Sequence, residues 1–299
     1  EAFDAINLGS YTGAITIDIV NNTTETASAV LNASGTGSSS YTSILIQPSG
    51  GAGRTITGSI TSHLISFDGA DNVTIDGLNS GGNSLTIANT SVASGNTIHF
   101  INDASTNTIQ NCTLQGSSSS AANAVLFFNT GLTTGNDGNT VFNCNITGVG
   151  ANLPVNGIYS AGTSTAIDNS GNIINQNNIY DFFSPTSASQ GINITSNGNS
   201  GWTITNNRLY QTANRIFTAA TTHSGISIGI GSGYTITGNT IGFANAAGTG
   251  TTNLAGITTA GTFSGTFPGS YALGTATLNA TRYVAINCAF TTGGTVSEI

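Results

Sequence analysis

The sequence predicts an all-β fold, a single-stranded parallel β-helix of about eight rungs, each 30–34 residues long. Three observations predict it. A nine-residue phrase recurs in phase along the chain, a second apolar register runs between its copies, and the composition withholds what long helices need.

The phrase is plainest in GYTITGNTIGF (233–243) and GWTITNNRLYQ (201–211), and earlier copies read GNIINQNNI (171–179), GNTVFNCNI (138–146), TNTIQNCTL (106–114) and a shortened NVTIDGL (72–78). Its fourth position is Ile75, Ile109, Val141, Ile174, Ile204 and Ile236, at spacings of 34, 32, 33, 30 and 32 residues, and these six are expected to form one internal stack. The ninth position is also aliphatic: Leu114, Ile146, Ile179, Leu209 and Ile241.

The second register reads HLISF (63–67), NTIHF (96–100), NAVLF (123–127), NGIYS (156–160), GINIT (191–195), GISIG (225–229) and GITTA (256–260). In each, Ile65, Ile98, Val125, Ile158, Ile192, Ile226 or Ile257 starts an in–out alternation. Two short strand signals per period with Gly/Ser/Asn turns mark a coil, and a third strand is expected in the variable link. Periods of this size mean a solenoid or a propeller. Propeller blades need four strands each, whereas short strands suit coils stacked about 4.8 Å apart.

The seventh position is Asn177, Asn207 and Asn239, expected to form an inward ladder that satisfies buried turn groups. Cys112 and Cys144 replace Asn there on two neighbouring rungs, either as a disulfide or as stacked free thiols.

Only 5% of the residues are charged, with 4 Arg, no Lys, 12 acids and a net charge of −8. Ordinary soluble domains carry about 25% charged residues. Runs of Ala, Leu, Glu and Lys, which sustain long helices, are absent. An acidic chain without a basic face excludes nucleic acid as a partner, and no apolar run reaches the length of a membrane span. With three Cys and no CxxC pair, neither a disulfide scaffold nor a zinc site is expected. The low-charge, hydroxyl- and amide-rich composition points to an extracellular or cell-surface location.

The chain divides into an N-terminal cap with the first rungs (1–60), regular repeats (61–260) and an irregular C-terminal part (261–299), expected to continue beyond Ile299 as part of a longer protein. FDAIN (3–7) reads as an amphipathic turn closing the first rung, while GAITIDIV (13–20) and TSILIQP (42–48) read as early strands. RYVAINCAF (282–290) is strand-like with Cys288 inward, and 261–280 reads as a long loop or outward strands.

The rungs TNTIQNCTLQG, GNTVFNCNITG and GYTITGNTIG resemble the right-handed parallel β-helix repeats of the pectate-lyase-like superfamily, and most resemble large secreted or surface proteins of Bacteroidetes-type bacteria. The opening AFDAINLGSYTGAITIDIV is similar to the start of such domains, and the resemblance covers Phe3 to about Cys288. It implies a right-handed β-solenoid, a fold that carries lyases, hydrolases and adhesins alike.

Polygalacturonase signatures are missing, and THSG (222–225) departs from their GHG. Lyase chemistry needs acids that hold calcium and an Arg or Lys base, and the nearest match is Asp181 with Arg208 on the next rung. Arg54, Arg215 and Arg282 have no acid close in sequence, and His99 is expected to point outward beside Ile98 and Phe100. Asp71 and Asp103 fall at turns on successive rungs. Tyr180, Phe182, Tyr210 and Phe217 follow the ninth position on adjacent rungs, as a glycan platform or as filler of a loop core. An ice-binding Thr array begins with Thr203/Thr205 and Thr235/Thr237 but breaks at Ile173/Asn175 and Thr140/Phe142.

The expected function is therefore a non-catalytic structural or adhesive module that needs no cofactor and contacts further copies or repeats end to end. The alternative is a carbohydrate-binding or polysaccharide-cleaving β-helix protein, with calcium required only in that case and cell-surface glycans as partners.

Overall fold

The computed structural model describes residues 1–195, 197–219 and 221–250, with the backbone of 254–255, 282–288 and 292–297. The chain winds as a right-handed parallel β-helix, and its three long sheets contain nine, eight and eight strands, all paired in parallel. Each coil contributes one strand to sheet A, one to sheet B and one to sheet C, in that order, before the next coil begins.

The fourth-position residues face the interior of sheet A. Ile75, Ile109, Val141, Ile174, Ile204 and Ile236 are each in register with the next and fully buried. The row extends backwards through Ile46 and Ile17.

The third strand of each coil lies inside the phrase, not in the variable link. Sheet A takes Thr203–Thr205 and sheet B takes Arg208–Tyr210, from one copy of the phrase. Positions four and nine are five apart, so an unbroken strand would send them to opposite faces. Both are buried because the chain turns a corner between them. The corner residue at position six is left-handed in five of the copies, at Asn111 (φ 56°), Asn143 (φ 51°), Gln176 (φ 58°), Asn206 (φ 58°) and Gly238 (φ 64°). Asn and Gly tolerate that region best, which accounts for their recurrence at this position.

Sheet C carries the second register, with two corrections. Leu126, not Val125, stands opposite Ile98 and Ile158. The Val125 carbonyl accepts from both Thr97 N–H (3.0 Å) and Ile98 N–H (2.9 Å), so one extra residue is absorbed as a local irregularity. The strand that follows Thr222–Ile228 in this sheet is Arg282–Cys288, placing Ile286 opposite Ile226. GITTA and its Ile257 lie outside the described residues, as do 261–280. Glycines lie within several C strands where neighbouring atoms leave no room for a side chain: a Cβ on Gly191 would lie 2.5 Å from Leu209 Cδ2 and 2.7 Å from Gly225 O.

At the N-terminal end, helix α1 (Ala2–Asn7) precedes strands β1 (Thr12–Ile19), β2 (Thr23–Glu25), β3 (Ala29–Asn32) and β4 (Ser40–Pro48). Phe3 and Ile6 are buried. Asn7 ties the helix to β3, donating to Val30 O (2.9 Å) and accepting from Asn32 N–H (3.0 Å).

Candidate functional site

The turns between sheets A and B hold a column of buried amides. Asn239 Oδ1 accepts from the N–H (2.9 Å) and Nδ2 (3.0 Å) of Asn207, and Asn207 Oδ1 receives the same pair from Asn177 at 3.0 Å. Asn177 Oδ1 in turn accepts from Cys144 N–H at 2.9 Å. Each Nδ2 also donates to a carbonyl on the coil below, at Val141, Ile174 and Ile204.

Two further columns escaped the sequence reading. At the second position of the phrase, Asn107 donates to Asn139 Oδ1 and Asn139 to Asn172 Oδ1, each through both backbone and side-chain N–H. Trp202 and Tyr234 take the equivalent place on the following coils, and both are buried. Ahead of the phrase, Asn136 donates twice to Asn169 Oδ1. The signals were the Asn in TNT, GNT and GNI, and the Asn of NDG and NSG two residues before the phrase's Gly.

Cys112 and Cys144 are free and buried. Their thiols donate to the carbonyls of Gln110 (3.1 Å) and Phe142 (3.3 Å), respectively. The hydrogen bond with Cys144, reinforced by burial, pushes the Cys112 thiol well above the ordinary thiol range.

The four aromatic residues divide. Tyr180 and Tyr210 stack on the outside of sheet B, with ring centroids 5.0 Å apart and planes 5° from parallel. Burial raises both phenols, Tyr210 to about 12. Phe182 and Phe217 instead fill a loop core and offer no ligand face. Asp181 is left-handed (φ 55°) and redirects the chain after Tyr180. Phe182 then stacks on His223 at 5.0 Å, and Phe217 meets Phe183 edge-on at 4.9 Å.

Asp181 does not pair with Arg208. Its carboxylate bonds Arg215 Nη2 and accepts from Thr212 N–H (2.8 Å) and Oγ1 (2.6 Å). The loop after Tyr210 carries Arg215 back over Asp181, a contact between residues 34 apart that spacing along the chain does not display. Gln211 Oε1 holds Arg215 Nε at 2.8 Å. Arg208 is exposed, in register with Asn178 and Thr240.

On the outer side of sheet C stands a column that the sequence reading did not assemble: His63, His99, Phe127 and Tyr159. Centroids are 3.5 Å apart for His63–His99, 5.5 Å for His99–Phe127 and 5.2 Å for Phe127–Tyr159. His99 faces away from the core, yet it is buried between its neighbours. Asn129 Nδ2 donates to its Nε2 (3.1 Å), leaving Nδ1–H for Ser66 Oγ (2.9 Å). Burial lowers His99 to about 3, with His63 adding to the effect, and lowers His63 to about 4. His223 of THSG is likewise lowered to about 3 by burial and then by Arg215.

Other acids hold turns. Asp103 accepts the N–H groups of Leu132 (2.7 Å), Thr133 (2.9 Å) and Gly135 (3.0 Å), and hydrogen bonds from this loop hold its carboxyl below the usual range. Asp71 accepts Ser105 N–H at 2.7 Å, and Asp76 accepts from Gln110 (2.7 Å) and Asn111 (2.8 Å). Among the described residues no three His, Cys, Asp or Glu converge to hold a metal ion, and no helix is long and apolar enough to cross a membrane.

Comparison with protein-family models, with curated proteins and with solved structures finds no match to this chain.

Proposed function

We propose that the protein is a non-catalytic structural or adhesive module of a secreted bacterial surface or filament protein, built on a β-helix of the pectate-lyase-like kind. One observation carries this reading: the chemistry-bearing side chains bond across to neighbouring coils. Asp76, Asp103, Asp181, His99 and His223 all engage partners about 30–35 residues away. The Asn columns do the same through the interior. A solenoid draws its stability from contacts between adjacent repeats, and these residues supply them. The resulting rod presents hydroxyl and amide groups with few charges to desolvate at a contact. Antibody labelling of intact source cells tests the placement, with staining at the surface expected.

A second reading rests on the exposed Arg208 beside the Tyr180–Tyr210 stack, a surface suited to an anionic glycan. Incubation with uronate-containing and neutral polysaccharides, with and without calcium, separates the two. No product is expected. Product release abolished by Arg208→Ala would overturn the structural reading.

A further inference from the structure

The first coil is covered unevenly. Helix α1 closes the edge of β3 through Asn7. Among the described residues β1 pairs with β4 alone and β2 with the strand Gly53–Gly58 alone, so each has an unpaired edge. The inward residues of β1, Ile15, Ile17 and Ile19, are only partly buried, unlike their counterparts on later coils. Between α1 and these strands lies a cleft of about 640 Å³ lined by Ile17, Ile19, Ile46 and Ile56. Three carboxylates, Glu1, Asp4 and Glu25, also line it, with Asp4 paired at 3.2 Å with the α-amino group of Glu1. Thr23 Oγ1, on the same wall, is buried without a hydrogen-bond partner among the described residues.

We propose that this open rim is a β-strand addition site, taking one extended segment of a partner protein with alternating apolar side chains and basic flanks. The inference rests on the reading of the protein as a structural module. Each feature specifies part of the occupant. Unpaired strand edges offer backbone donors and acceptors to an added parallel strand. The alternating Ile15, Ile17 and Ile19 require apolar side chains at every second position, seated one rung spacing away. The acidic lining selects cationic flanks. Because α1 occupies the third side, a complete coil from a second copy does not fit while the helix is in place.

The test uses the full chain and a fluorescent synthetic peptide of alternating Thr and Ile with Lys pairs at both ends, followed by anisotropy. Saturable binding is expected, weakened about tenfold or more when salt rises from about 0.1 M to about 1 M. Asp4→Asn combined with Glu25→Gln should weaken it similarly, as should Ile17→Asp, and a Glu-flanked peptide should not bind. The charge variant touches no core residue, so it keeps the test valid if Ile17→Asp fails to fold. Absence of saturable binding, equal binding of the Glu-flanked peptide, or indifference to the charge variant would overturn the proposal. So would self-association that Ile17→Asp abolishes, which would make a second copy the occupant. Glycan cleavage would defeat the structural reading and leave peptide binding untouched, so the two failures are distinguishable.

Discussion

Asn207 Oδ1 accepts both the backbone N–H and the side-chain Nδ2 of Asn177 at 3.0 Å, while its own Nδ2 donates to Ile174 O at 2.8 Å. One side chain thus satisfies groups on the coil beneath it, and its own N–H is satisfied by Asn239 above.

Replacing Asn207 by Ala removes the acceptor of the buried Asn177 N–H and of one of the two Asn177 Nδ2 bonds, together with a donor to Ile174 O. The expected cost is about 1–3 kcal/mol, since the penalty falls on the groups left behind. Asn206→Gly, one residue earlier at a left-handed corner (φ 58°), should change stability far less. Urea unfolding of the two variants checks the contrast, and equal loss in both would contradict the ladder's role.

The acid limb of stability should be steep. His99 and His223 sit near 3 in the folded chain against 6.5 when unfolded. The unfolded state therefore binds protons first as pH falls, and stability present above 6.5 is lost between there and about 3. Each contributes a slope of about 1.4 kcal/mol per pH unit in that window. Asp71 and Asp137, raised mainly by burial, protonate early in the folded state and offset part of the loss in the lower half. Denaturation midpoints between pH 7 and 4 measure this, and His223→Gln should flatten the curve.

The two arginines near the tyrosine stack should behave differently. Arg215→Ala removes the partner of Asp181, whose side chain is 15% exposed, and strips the loop of its bond to Gln211. The expected loss is about 1–3 kcal/mol. Arg208→Ala should stay within about 0.5 kcal/mol, as for other exposed positions. Thermal unfolding of both variants suffices, and a large effect at Arg208 would place it in a contact not described above.

The thiols of Cys112 and Cys144 should be silent toward a charged disulfide reagent in the native protein. Burial withholds them, and the Cys112 thiol is held in its protonated, unreactive form. In a Cys288→Ser background, two thiols should titrate only after unfolding. Rapid native labelling would refute the buried placement.

The repeat was legible because coil geometry demands it: an inward side chain returns once per coil, so Ile75 to Ile236 recur at nearly constant spacing whatever the links do. The Asn of position seven was legible for the same reason. The two other Asn columns carried an equal signal in TNT, GNT and NSG. There the composition masked it, since Asn is abundant at every turn.

What the sequence by itself determined is the coil, its period and which side chains line its interior, because burial of an alternating strand leaves a regular trace. Only the tertiary structure decided that Asp181 meets Arg215, that Phe182 and Phe217 turn inward, and that His63, His99, Phe127 and Tyr159 stack. Those contacts join neighbouring coils through links of unequal length. A one-residue irregularity at Val125 is enough to shift which side chains stand above one another. Strand periodicity reports the face a residue occupies, whereas the partner across the next coil depends on how each loop spends its residues.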